Sequence, residues 1–90
     1  MKFEPKLPDF DGSFEVREAT RKEVMQLVSM IRCLYRDGGM VSSELAKVQD
    51  YVEQISGLGE DEAFLKLPVV HQSFLLEHLA HIYTGGIPGN

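Results

Sequence analysis

Residues 20–35 read TRKEVMQLVSMIRCLY, and this stretch decides the fold. Thr20 and Glu23 have the S/T-x-x-E spacing of a capping box, in which a hydroxyl and a carboxylate satisfy free amides at a helix start. Val24, Leu27, Val28, Ile31, Leu34 and Tyr35 follow at helical spacing. At about 100° per residue they fill an arc of roughly 120°, one apolar stripe on a helix that is otherwise polar. Asp37-Gly38-Gly39 is expected to end this helix, with Arg32 and Arg36 in its last turns, where the dipole favours cations.

The same period returns downstream. Ser42 or Ser43 is expected to cap a second helix running to about Ser56, with Leu45, Val48, Tyr51, Val52 and Ile55 on its core side. Gly57-Leu58-Gly59 breaks it. Glu60, Asp61 and Glu62 then suit the first turn of a short third helix, to about Leu67. Pro68 either opens the last helix or kinks a longer one. That helix extends to about Thr84 and is apolar around much of its circumference, which predicts a central helix flanked on several sides. The expected fold is all-α: a small four-helix domain, with helices at about 20–37, 43–56, 60–67 and 68–84, and an extended N-terminal arm.

The first 18 residues have a different texture. Phe3, Leu7, Phe10, Phe14 and Val16 are spread among Pro5, Pro8, Gly12 and several charges. The prolines push their predecessors toward extended geometry. Residues 13–16 have strand character, but nothing later in the chain offers them a partner. An arm whose aromatics lie across the bundle is the expected arrangement, followed by one helical domain over residues 19–86 and a short tail over 87–90.

Ninety residues suffice for one core and no second. The 43% apolar and 26% charged fractions exclude disorder as a description of the whole chain. A formal charge of −5 opposes non-specific binding to nucleic acid or anionic lipid. The single cysteine, Cys33, excludes an internal disulfide framework and favours a reducing compartment, so a cytoplasmic location is expected. The opening residues MKFEPKLPDFDG lack the unbroken apolar core of a signal peptide, and no stretch is long enough to predict a membrane helix.

Chemistry-bearing residues are sparse. His71, His78 and His81 share the last helix with Glu77. Glu77, His78 and His81 form the one candidate metal set, with carboxylates from another helix to complete it. Neither HEXXH nor a di-iron E-x-x-H pair is present, so these groups are expected to border the apolar face or an interface. Cys33 lies late in the first helix, the wrong end of the dipole for a nucleophilic thiolate. Arg21, Arg32 and Arg36 fall within about 60° of one another on that helix, a ridge able to meet carboxylates or phosphates. A DNA-reading third helix would present Glu60, Asp61 and Glu62 to phosphates, which repels them.

Phe14-Glu-Val-Arg-Glu-Ala-Thr-Arg-Lys-Glu-Val24 resembles the opening strand and helix of GNAT-type acetyltransferases. The likeness is confined to the front of the chain, and the R-x-x-G-x-G/A loop that holds acyl-CoA in that family is absent. Asp37-Gly38 and Val41-Ser42 with their flanking helices are similar to one unit of TerB-type tellurite-resistance helical proteins, on a few common residues. Neither likeness supplies a site. With no catalytic constellation or nucleotide loop, the expected function is non-catalytic and cofactor-free: a regulator or adaptor that binds another protein, a homodimer being the nearest version. Phe3, Leu7, Phe10, Met25, Met30, Met40, Arg21, Arg32 and Arg36 are the expected contact residues, because apolar, methionine and arginine side chains beyond the core stripes suit an interface.

Overall fold

The structure, a computed structural model, describes residues 1–5, 12–36, 39–40 and 42–85. Two short strands, β1 (Lys2–Phe3) and β2 (Phe14–Glu15), precede α1 (Arg21–Leu34). Strands β3 (Tyr35–Arg36) and β4 (Gly39–Met40) follow, then α2 (Ser42–Ser56), a 3-10 turn at Leu58–Glu60, α3 (Glu62–Leu65) and α4 (Val69–Tyr83). The domain is small and mostly helical, with an N-terminal arm, as the sequence predicts. The tail at 87–90 lies outside the described residues.

The capping box at the start of α1 forms: Thr20 N donates to Glu23 Oε1 at 2.8 Å, and Glu23 N donates to Thr20 Oγ1 at 3.2 Å. Leu27, Ile31 and Leu34 are buried. The helix stops three residues before the expected position. Tyr35 pairs antiparallel with Met40 and Arg36 with Gly39, so the chain leaves the helix for a short strand pair where the sequence predicts another helical turn. α2 ends at Gly57, whose φ of 84° is the left-handed conformation that glycine adopts without strain. Buried Ser56 fixes that exit, donating from Oγ to the Glu53 carbonyl and accepting from Leu58 N, each at 3.2 Å.

The third helix is shorter than predicted. Leu58–Glu60 winds into the 3-10 turn, which drives Leu58 fully into the core. Asp61 is the N-cap of α3 rather than a first-turn residue, its Oδ1 accepting from Ala63 N at 2.9 Å and Phe64 N at 3.3 Å. Pro68 sits immediately before α4 with extended ψ, so it opens the helix and kinks nothing. Gln72 ties α4 back to α3, its Nε2 donating to the carbonyls of Leu67 and Leu65 at 2.9 and 3.2 Å.

Two expectations are corrected by the packing. α2, not α4, is the central helix, and it packs against both α1 and α4. α4 buries Leu75, Leu76, Leu79 and Ala80 on one face and leaves Val69, Val70 and Phe74 exposed. The arm, moreover, has a strand partner, and that partner lies within the arm itself. Lys2 pairs with Glu15 and Phe3 with Phe14, antiparallel. Phe3, Phe14 and Val16 are each no more than 3% exposed and belong to the core. Phe14 meets Phe64 edge-on, ring centroids 6.1 Å apart. Three such side chains contribute roughly 1.5–3 kcal/mol each by burial, so the arm is part of the fold.

Candidate functional site

The expected contact residues divide sharply. Phe3 is buried, and Met30 is half-buried against the core cluster, so neither presents a free surface. Leu7 and Phe10 lie outside the described residues, as do the side chains of Arg36 and Met40. The backbone of Arg36 has already left the helix, so helical spacing no longer groups it with Arg21 and Arg32. Met25, Arg21 and Arg32 are exposed on α1, Met25 to 61%.

The histidine–glutamate set of α4 does not converge. Glu77 Oε1 accepts from Gln49 Nε2 of α2 at 3.5 Å. The exposed His78 has its ring 5.7 Å from that of Phe3 in the arm. His81 is exposed one turn beyond Glu77. Among the described residues no group of three or more histidine, cysteine, aspartate or glutamate side chains is placed to hold a metal ion. Cys33 is half-buried and free of any disulfide.

The most prominent surface feature is one that periodicity assigns to the interior. Val69 is 75% exposed, Val70 68% and Phe74 65%. At about 100° per residue Val70, Phe74, Glu77 and His81 share a stripe roughly 60° wide, turned away from the Leu75, Leu76, Leu79 and Ala80 face. Leu65, at the end of α3, and Ile82, beside Leu75 in angle, are also exposed but lie off this stripe. A signal for part of this exists in the sequence, since Val70 and Phe74 fall outside the arc set by the leucines, whereas Val69 lies beside Leu76 in angle and is exposed as the first residue of the helix. Counting apolar residues around the helix, without asking how many neighbours could cover them, hides it. Val70 and Phe74 are thus two exposed apolar side chains one turn apart, with Glu77 and His81 continuing the same stripe.

The arm is locked at the far end of α4. Tyr83 Oη donates to the carbonyl of Arg17, and Arg17 N donates to the carbonyl of Ser56 at 3.1 Å. Burial pushes the Tyr83 phenol up to about 12, a rise that Arg17 opposes and Glu23 reinforces. The Tyr51 phenol is also raised, chiefly by burial and then by Glu23. Both phenols therefore stay protonated at neutral pH, and the Tyr83 donor is preserved.

No family model, curated protein or solved structure matches this chain significantly. No helix among the described residues is long and apolar enough to cross a membrane.

Proposed function

We propose that this chain is a non-catalytic protein-binding module, a regulator or adaptor, whose docking surface is the outer face of α4. The observation that carries the reading is the exposure of Val70 and Phe74 on a helix whose opposite face is core, with Val69 exposed at its first residue. The two side chains of the outer face, in water, are unfavourable by roughly 1.5–3 kcal/mol each relative to burial, and a partner that covers them recovers that energy. Association costs about 4 kcal/mol or more in lost freedom, so the apolar face supports a moderate affinity and the polar rim at Glu77 and His81 sets orientation. The arm has a structural part in this: it supplies core and holds α4 in place. A second copy of the chain is the nearest partner, and the free thiol of Cys33 suits a reducing, cytoplasmic setting.

The test is affinity capture from the native cell with the wild-type chain and with Phe74→Glu, alongside sedimentation at rising concentration. A partner or dimer present with the wild type and lost with Phe74→Glu supports the reading. Equal capture and equal sedimentation by the two proteins would remove it.

A further inference from the structure

The outer face of α1 carries charge of the opposite sign to the rest of the molecule. Arg21, Lys22, Met25, Gln26, Ser29 and Arg32 are all exposed, and none is acidic. Residues 42–85, by contrast, hold two lysines against seven acids. The ion pairs among the described residues join the N-terminus to Glu15, Lys2 to Glu4 and Lys47 to Glu44; Arg21, Lys22 and Arg32 take part in none of them. Arg21 and Arg32 lie within about 20° of each other around the helix and about 16 Å apart along it. Met25 falls between them, displaced from Arg21 by about 40° and one turn.

We infer that this face is a second docking surface, distinct from that of α4, and that its occupant is an acidic amphipathic helix of another protein. An apolar side chain of that helix covers the Met25 thioether, whose flexible chain adapts to varied shapes. Carboxylates about three turns apart meet the two guanidiniums, which take carboxylate oxygens in a planar, two-pronged geometry that lysine cannot reproduce. Charge complementarity selects the partner's sign and accelerates encounter, while the thioether contact resists salt. Duplex nucleic acid fits less well, because Met25 falls between Arg21 and Arg32, where a backbone-binding surface needs a cation. A chain with one apolar and one cationic contact face can bridge two different proteins.

The experiment measures fluorescence anisotropy of the full chain with synthetic helical peptides of identical apolar positions, flanked by glutamate, glutamine or lysine, and with a short DNA duplex. The expected result is tightest binding to the glutamate peptide, by about tenfold over the lysine peptide at low salt, narrowing at high salt. In the Arg21→Glu/Arg32→Glu variant the preference reverses, and in the milder Arg21→Gln/Arg32→Gln variant it disappears. Phe74→Glu leaves the preference intact, which separates this surface from that of α4. A ranking that ignores flank charge, a preference that survives both arginine variants, loss of binding in Phe74→Glu, or tighter binding to DNA would each overturn the inference.

Discussion

The Tyr83 hydroxyl, on the last turn of α4, donates to the backbone carbonyl of Arg17, 66 residues earlier in the chain. This single bond joins the end of the arm to the end of the last helix, beside the Ser56 carbonyl that receives Arg17 N. The two ends of the fold are closed on each other there, and the outer face of α4 is held in register as a result.

Alkaline pH should open this closure. The phenol ionises near 10 in the unfolded chain and at about 12 in the folded one, so the folded state binds the proton more tightly. The stabilisation is complete below pH 10 and is lost as pH rises from there through about 12. Titrating phenolate absorbance should show a last step near pH 12, absent in Tyr83→Phe. That variant should also lose about 1 kcal/mol of stability at neutral pH. Coincident ionisation of every tyrosine at the ordinary value would contradict the assignment.

Truncating the arm should unfold the protein rather than merely remove a contact. Phe14→Ala removes a buried ring packed on Phe64 and should cost about 3–5 kcal/mol, read as a large fall in Tm. Deleting residues 1–18 removes Phe3, Phe14 and Val16 together and should abolish cooperative melting. A truncated chain that melts near the wild-type temperature would show that the arm is dispensable.

The two capped helix starts give a graded comparison. Thr20→Ala and Asp61→Ala should each cost about 0.5–2 kcal/mol by chemical denaturation. Gly57→Ala forces a side chain into a left-handed backbone and should cost about 1 kcal/mol through strain alone, since no atom crowds that position. A neutral Gly57→Ala would mean that the α2 exit adopts another conformation.

The metal alternative has its own test. Glu77 faces Gln49, His78 faces Phe3 and His81 faces outward, so adding zinc should leave Tm unchanged in the wild type and in His81→Ala alike. A zinc-dependent rise that His81→Ala removes would restore these residues as ligands.

Periodicity and capping chemistry make the helices readable: Thr20 and Glu23 mark a start that the hydrogen bonds reproduce, and Gly57 marks an end. What local pattern does not supply is long-range pairing. Phe3 finds Phe14 across eleven positions, and that strand pair turns an expected partner-binding aromatic into core. The surplus of apolar residues is likewise visible in sequence, and helical angle sets Val70 and Phe74 off the leucine arc, but which surplus residues the neighbouring elements leave uncovered is not. Local reading points to the arm and the methionines. Placement of α2 at the centre leaves α4 with one covered side, so the surplus falls at Val69, Val70 and Phe74. Met25, Arg21 and Arg32 are exposed on α1, which divides more sharply into apolar and polar faces.

Contact between Phe74 and another protein is the central claim. A photo-crosslinking phenylalanine analogue placed at position 74 of the full chain, in its native cell, tests it for a partner of any identity. The expected outcome is a discrete adduct of higher mass at position 74, lost when Val70→Glu is added, and absent when the analogue replaces exposed Gln54 on α2. The melting temperature should be unchanged throughout, since neither residue at 70 or 74 is packed inside. No adduct at position 74, or the same adducts from both positions, would contradict the claim that this face docks a partner.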